Sequence, residues 1–268
     1  MIIKKIFLFF LLNTFYFISC QAQNIIFSNS QFDSINLIHK SLIQKNQTDS
    51  FEISITKFGE RIKNSKYEKG KINHYLILSR LSFNFGDFEN AFINSSQALE
   101  MSKKIKSYNL INSSYSWKIN ILEKTKSLDL KKTIDESMNF IKKNDFEILT
   151  KRYLTLSSLN RKEDRIGVAS SLLDSAIIFA EKSNLPLLQI KTIRGKAILK
   201  IQTDPNSALK LFKKALNKSK KNQNKHLLIE SYFNLGKCYS ILGRSDSSIN
   251  NMQNALEIAL DNNKNANI

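Results

Sequence analysis

Apolar residues recur at three- and four-residue steps along most of this chain, which is the spacing of one face of an α-helix. A representative segment, "INHYLILSRLSFNF", begins at Ile72, and a second, "FENAFINSSQALEMSKK", begins at Phe88. The two are separated by Gly86-Asp87, a pair that favours a turn. Similar breaks occur at Asp204-Pro205 and Gly243-Arg244. The pattern therefore predicts pairs of amphipathic helices joined by short turns.

The helix pairs repeat with a fixed period. Small residues recur at intervals of 39 or 40 residues, at Gly59, Ala98, Ser137, Ala176, Ala215 and Ala255. A second series runs through Ala91, Leu130, Ala169, Ala208 and Ser248, and a third through Ser79, Ser157 and Gly236. Two helices that cross closely need small side chains at their contact. The period is typical of a repeat solenoid, and we predict that the small residues lie where paired helices meet.

The most regular unit lies near the C-terminus and carries Tyr232, Leu235, Gly236, Tyr239, Gly243, Ser248, Met252 and Ala255. At these positions it resembles a tetratricopeptide repeat. The resemblance implies an all-α, right-handed α-solenoid of antiparallel helix hairpins, and a protein without enzymatic activity. The period of 39–40 residues exceeds the family's usual length of about 34, which indicates longer helices or loops.

The repeat period divides the chain into units. Residues 33–71 are predicted to form a divergent N-terminal helical hairpin, and residues 263–268 a short polar tail. Five repeat units are predicted between them: 72–110, 111–149, 150–188, 189–228 and 229–262. The unit that begins at Ile111 matches the pattern least, because Lys118 and Leu130 stand at positions where small residues are expected.

The N-terminus predicts export. Two lysines, Lys4 and Lys5, precede an apolar run at 6–18, which suits a signal-peptide core and is short for a membrane span of about 20 residues. Two processing routes fit the next residues. Either Cys20 becomes the lipidated first residue of a lipoprotein, or a signal peptide of residues 1–22 is removed before Gln23. Both routes give an exported protein, periplasmic or anchored to the membrane as a lipoprotein.

Residues with catalytic potential form no recognisable site in the sequence. His39, His74 and His226 lie far apart and lack the spacing of metal ligands. A glycine-rich phosphate loop is not found. Cys238 lies inside a predicted helix, where a small buried residue is expected. The sequence therefore predicts no enzymatic activity, no metal and no cofactor.

Positive charge is concentrated in one repeat. The formal net charge is +18, and residues 189–228 contain eleven Lys or Arg residues but only one acidic residue, Asp204. A basic ridge is predicted on the outer face of the second helix there, at Lys210, Lys213, Lys214, Lys218, Lys220 and Lys221. Two interpretations stay open. The ridge is either a solvated face that reflects AT-rich coding, or a docking surface for an acidic protein or an anionic membrane. Export disfavours nucleic acid as the partner.

The solenoid resemblance also implies where a partner binds. Such proteins hold extended peptides or helices along a concave groove lined by first helices. By repeat geometry, the predicted groove residues are Asn73, Arg80, Asn84, Lys151, Arg161, Lys200 and Lys237. We therefore expect a scaffold of the cell envelope that binds a protein or peptide segment, and these side chains suit an acidic one. The alternative is the sensory or regulatory part of a truncated or split signalling protein, of the histidine-kinase or helix-turn-helix type. The sequence leaves the oligomeric state open.

Overall fold

The computed structural model describes residues 28–44, 52–222 and 224–266, and all regular secondary structure in these ranges is α-helical. The predicted signal peptide and Cys20 lie outside them. None of the described helices is both long and apolar enough to cross a membrane. In chain order the helices are α1 Asn29–Gln44, α2 Glu52–Lys63, α3 Glu68–Asn84, α4 Phe88–Lys104, α5 Tyr108–Lys124, α6 Leu130–Met138, α7 Phe146–Lys162, α8 Ile166–Ser183, α9 Pro186–Lys200, α10 Pro205–Asn222, α11 Lys225–Ile241 and α12 Ser245–Ala266.

Consecutive helices pack as hairpins. The strongest contacts join α3 to α4, α7 to α8, α9 to α10 and α11 to α12. Each second helix from α4 to α10 also packs against the first helix of the following pair. This arrangement of stacked hairpins is the α-solenoid that the repeat period predicts.

The small residues of the main series lie between packed helices, as predicted. Four of them are inaccessible to solvent and a fifth is 6% exposed: Ala98, Ser137, Ala176, Ala215 and Ala255. Three hairpins also contain a serine hydroxyl that donates to a backbone carbonyl across the helix pair. These bonds are Ser79 to Ala91 at 2.8 Å, Ser157 to Ala169 at 2.7 Å and Ser248 to Gly236 at 2.9 Å. Such short side chains can bridge two helices only where the backbones are close.

Gly236 stands at the closest approach within the last hairpin. A Cβ atom at this position would lie 2.9 Å from Met252 Cγ and 3.2 Å from the carbonyl oxygen of Ser248. Lysines take the equivalent position in two other hairpins. There Lys118 Nζ lies 4.7 Å from the centre of the Phe92 ring, and Lys196 Nζ lies 3.0 Å from Asp174 Oδ1. The close contact therefore needs a small residue in the last hairpin but not in every hairpin.

Five of the turns share one backbone geometry. After the helix ends, a residue with positive φ donates its N–H to the carbonyl three residues back, and the next N–H donates five residues back. This is the Schellman motif, which satisfies carbonyls at helix C-termini. The positive-φ residues are Gly86, Lys106, Lys126, Asp164 and Gly243. The sequence signalled only the two glycine turns, because lysine rarely adopts a left-handed backbone and aspartate does so only occasionally.

The hairpin of α5 and α6 departs from the others. Helix α6 has nine residues, whereas α4 has 17 and α8 has 18. Residues 139–145 follow without forming a helix. Asn112 Nδ2 of α5 donates to the carbonyl of Phe140 at 3.0 Å, and this bond holds the irregular segment against α5. The unit with the poorest sequence match is thus also the least regular in structure.

First helices of neighbouring hairpins contact one another directly. Helix α1 packs against α3, α3 against α5 and α7 against α9, whereas the main neighbours of each second helix are first helices. Since the first helices lie closer together along the solenoid, they form the inner side of its curvature. We call the side of α3, α5, α7, α9 and α11 that faces this inner space the first-helix face.

Candidate interaction face on the first helices

Side chains about one repeat apart link successive first helices. The guanidinium carbon of Arg80 on α3 lies 5.4 Å from the centre of the Trp117 ring on α5. Phe83 packs edge-on against the same ring, with centroids 6.0 Å apart. Burial lowers the pKa of Arg80, but arginine remains charged at any physiological pH. The α3–α5 end of the first-helix face therefore consists of aromatic rings with the guanidinium of Arg80 stacked on one of them.

Arg152 on α7 is the most deeply buried cation of the described residues, with 3% of its surface exposed. Its Nε donates to Ser137 Oγ at 2.9 Å, and one terminal nitrogen donates to Ser116 Oγ at 3.1 Å. No carboxylate of the described chain pairs with it. Burial lowers the pKa of Arg152 to about 10. This residue links α5, α6 and α7, so we assign it a structural role.

Lys191 on α9 is half-buried, and its ammonium makes no hydrogen bond or ion pair with the rest of the described chain. Burial is the main cause that lowers its pKa; Arg194 and Lys151 lower it further, while Glu230 and Glu123 act in the opposite direction. These four neighbours lie on α9, α7, α11 and α5. Lys191 therefore belongs to a strip of charged residues that crosses four first helices.

The other cations of this strip are already paired. Arg194 forms an ion pair with Glu230 of the next first helix. Lys151 Nζ lies 2.6 Å from Glu147 Oε1 one turn earlier on α7. His226 Nε2 lies 3.7 Å from Glu230 Oε1. Lys191 is thus the cation of the strip that lacks a direct partner within the described residues, which leaves it able to accept an anionic group.

The structure places the predicted groove residues as follows. Asn73, Arg80 and Lys200 are half-buried, whereas Asn84, Lys151, Arg161 and Lys237 are exposed. Three of the seven are engaged within the chain: Arg80 with Trp117, Lys151 with Glu147, and Lys237 with the ring of Phe233 at 5.9 Å. Whether these residues contact a partner remains a prediction. Lys191 and Arg194 were not among them, because sequence spacing alone does not show which lysine lacks an acceptor.

The basic ridge lies on α10 and divides into two parts. Lys213 and Lys220 lie over Tyr239 and Tyr232 of α11, with their ammonium groups 5.9 Å and 5.6 Å from the ring centres. Lys218 Nζ donates to Gln189 Oε1 at 3.1 Å. The remaining members, Lys210, Lys214 and Lys221, are exposed and border a shallow depression on the surface of α10. Docking by the ridge remains a prediction.

Metal chemistry has no candidate within the described ranges, where no three residues of the His, Cys, Asp and Glu types come together as a potential ligand set. His39 and His74 are both buried, beside Phe58, in the N-terminal part of the molecule. Their positions explain two of the three histidines as core residues. His226 is the exposed member of the Glu230 pair.

Comparison with known proteins supports the architecture. Residues 229–262 match the family model described as "Tetratricopeptide repeat". The fold is a tetratricopeptide-like α-solenoid. The match falls on α11 and α12, the hairpin with the fullest set of pattern residues. Among curated proteins, none matches the sequence significantly.

Three solved structures show the same tetratricopeptide-like fold at low identity. The apo form of RapI aligns over 91% of this chain and 88% of its own, with a TM-score of 0.68 and 16% identity. BtubC (BKLC) from P. vanneervenii aligns over 87% of this chain and 92% of its own, with a TM-score of 0.61 and 13% identity. Aspartyl phosphate phosphatase F from Bacillus subtilis has a TM-score of 0.71 and 10% identity. The alignment covers 88% of this chain and 61% of that protein. At these identities the likeness concerns the fold alone.

Proposed function

We propose that this protein is an exported, non-enzymatic scaffold of the cell envelope that binds a segment of another protein along the first-helix face. The tetratricopeptide-like fold supports the proposal, because solenoids of stacked hairpins provide extended inner surfaces for binding. The charged leader and the apolar run at 6–18 support export.

The half-buried ammonium of Lys191 is the observation that carries the binding proposal. A partly desolvated ammonium is stabilised by a paired anion, and Lys191 has no such partner among the described residues. Its neighbours Arg194 and Lys151 add positive potential, although each has a carboxylate of its own. The group that fits this position is a carboxylate of a bound protein segment, either an acidic side chain or a chain terminus.

The binding test uses two lysine variants that remove the same charge from the same helix. Lys191→Met removes the unpaired ammonium of the first-helix face, whereas Lys196→Met removes a lysine that pairs with Asp174 of α8. Both are compared with the wild type in binding to an array of extended peptides. The array contains acidic and neutral sequences, each with a free or an amidated C-terminus.

The expected result is a set of acidic peptides whose affinity falls about tenfold or more in Lys191→Met and stays unchanged in Lys196→Met. Amidation then separates the two carboxylate sources, since it affects only peptides that bind through their terminus. If no peptide distinguishes the two variants, the first-helix face around Lys191 is not the binding surface. Circular dichroism provides the check that both variants are folded.

Export is tested separately, on the mature N-terminus. Mass spectrometry of the protein from its native source should show either an acylated Cys20 or a free N-terminus at Gln23. The acylated form gives a lipoprotein and the free form a soluble periplasmic protein. A cytoplasmic protein with an intact Met1 would contradict the export proposal and leave the binding proposal unaffected.

A further inference from the structure

Four large apolar side chains on α12 remain exposed along one side of the helix. They follow each other at steps of three and four residues, which keeps them in line. We call these residues the α12 stripe: Ile249, Met252, Leu256 and Leu260. Their exposed fractions are 56%, 37%, 58% and 53%. Exposed apolar patches of this continuity mark interaction sites in soluble proteins.

Helix α10 shows what normally happens to this side of a second helix. One period before the first three stripe residues stand Leu209, Phe212 and Leu216, whose exposed fractions are 7%, 1% and 7%. They are buried in a cluster with Leu235 and Cys238 of α11, the following first helix. The α12 stripe is therefore the continuation of an interface that is filled between α10 and α11.

The fourth position makes the comparison sharper. Where α10 carries Lys220, whose ammonium lies over the Tyr232 ring, α12 carries Leu260. The apolar surface is thus one turn longer on α12 than on α10. The change from lysine to leucine runs opposite to what a solvent-exposed helix surface favours. The composition of α12 indicates a helix that is covered in the functional protein.

We propose that the α12 stripe joins two copies of this chain, with their α12 helices packed antiparallel about a two-fold axis. The spacing of the stripe is nearly the same in both directions along the helix. An antiparallel pair therefore places Ile249 opposite Leu260 of the second copy, and Met252 opposite Leu256. A two-fold interface requires such a self-complementary surface.

The charge distribution favours the same occupant. The chain carries a formal net charge of +18, so two copies repel each other at most approaches. The last repeat is the exception, because residues 229–268 contain three basic and four acidic residues. Head-to-tail stacking is less favourable, since the exposed side chains of α1 are mostly polar and include Ser30, Gln31 and Ser34, with Leu37 as the exposed apolar exception. Two α12 stripes bury apolar against apolar surface at the least charged end.

Sedimentation velocity over a concentration series tests the proposal on the purified chain. We expect a monomer–dimer equilibrium for the wild type. Leu256→Lys should raise the dissociation constant at least about tenfold, because it places a charge at the centre of the pair. Ile178→Lys is the matched control. Ile178 is 52% exposed on α8, another second helix, and lies outside the stripe, so its variant should dimerise like the wild type.

A spin label at Gln253→Cys tests the antiparallel geometry. Gln253 is exposed between Met252 and Leu256, near the centre of the proposed pair. Electron–electron dipolar spectroscopy should give one short distance between the labels of two copies, and that distance should disappear in the Leu256→Lys background. The one native cysteine of the described chain, Cys238, is buried. The chain without the Gln253→Cys change, treated with the same spin label, shows how much label attaches elsewhere.

Three results would overturn the proposal. A chain that is monomeric at all concentrations leaves the stripe to an amphipathic helix of another protein. A dimer that survives Leu256→Lys with an unchanged dissociation constant is joined elsewhere. A dimer without a short distance between labels at position 253 pairs in another geometry. Circular dichroism of Leu256→Lys and Ile178→Lys ensures that loss of association is not loss of folding.

Discussion

Two joints of this solenoid each contain an apolar cluster but differ in the buried polar group beside it, and we call the joint between α10 and α11 the apolar joint. Between α10 and α11, Phe212, Leu216 and Leu235 form an apolar cluster with Cys238. Between α6 and α7, which we call the polar joint, Ile134 and Leu156 also lie in an apolar cluster, but the guanidinium of Arg152 is buried beside them and donates to a serine hydroxyl. The repeat period determines where a small residue must stand. It does not determine whether the side chain that covers this residue is polar or apolar.

The difference has energetic consequences. The apolar joint gains from removing hydrocarbon from water, at about 25 cal/mol per Å². The polar joint must compensate the desolvation of a cation with hydrogen bonds to neutral serines, since no carboxylate of the described chain pairs with Arg152. We therefore expect the apolar joint to be the more stable of the two.

The largest effect is expected from Phe212→Ala in the apolar joint. Phe212 is 1% exposed, and removing a buried phenyl ring should lower the free energy of unfolding by about 3–5 kcal/mol. Thermal unfolding of the variant measures this loss. Phe233→Ala is the control, because Phe233 is 50% exposed on α11 and should change the melting temperature little. Equal losses in both variants would contradict the proposed core.

The second effect concerns pH and extends the comparison to the contact between α2 and α3, which we call the N-terminal joint. Gly59 and His74 stand 15 residues apart, as do Ser137 and Arg152, so this joint buries a titratable group at the corresponding place. Burial lowers the pKa of His74 to about 4, helped by His39 and Lys63, and burial alone does the same for His39. Both imidazoles are therefore neutral in the folded protein at neutral pH.

Stability from these two histidines is present in full above their unfolded pKa of 6.5 and is lost as the pH falls towards 4. The loss should reach up to about 3 kcal/mol for each group. Imidazole resonances followed by NMR should show His39 and His74 remaining neutral well below pH 6.5, with the N-terminal joint opening when they protonate. If either group titrates near pH 6.5 in the folded state, the imidazole is not buried as described.

The third effect separates the serine from the arginine in the polar joint. Ser137→Ala removes the acceptor of Arg152 Nε and should cost about 1–3 kcal/mol, because a buried donor is left unsatisfied. Arg152→Met should change stability by less than about 1 kcal/mol. Both serine hydroxyls keep a second acceptor there: Ser137 donates to the Ile134 carbonyl at 2.7 Å and Ser116 to that of Asn112 at 2.8 Å. Urea unfolding of both single variants and the double variant measures the coupling free energy between Ser137 and Arg152.

The smallest effect concerns the turns on either side of α4. Lys106 has a positive φ of 53°, which strains a residue with a side chain, so Lys106→Gly should add about 0.5–1 kcal/mol of stability. Gly86 has a φ of 80°, and a Cβ there would meet nothing within 4 Å. Gly86→Ala should therefore destabilise through the backbone alone, by about 1 kcal/mol. We expect Lys106→Gly to raise the melting temperature relative to the wild type and Gly86→Ala to lower it.

The sequence predicted the architecture because helix packing constrains the residues that reveal it. Ala98, Ala176 and Ala215 must be small wherever two helices cross, so the period is visible in one chain. Arg152 could not be predicted in the interior, because arginine is seldom buried and its acceptors, Ser116 and Ser137, are up to 36 residues away.

The candidate site was only partly predictable for the same reason. Repeat geometry places Lys151 and Arg80 on the first helices, and both do lie there. It does not show that Glu147 and Trp117 already engage them, or that Lys191 is left without an acceptor. Likewise the spacing of Lys213 and Lys220 predicts one ridge, whereas Tyr239 and Tyr232 draw these two lysines towards α11. Partner choice depends on side chains that are distant in the sequence.

Among the helices that the structure describes, the substantial contacts join only those that are one or two apart in chain order. A small rotation at each joint therefore adds along the whole molecule, and the distance between its ends can change while every hairpin stays packed. We therefore expect the solenoid to extend elastically under tension. If a tether at one end and a partner at the other are pulled apart, the solenoid should first lengthen elastically and then unfold in steps, beginning at its weakest joint.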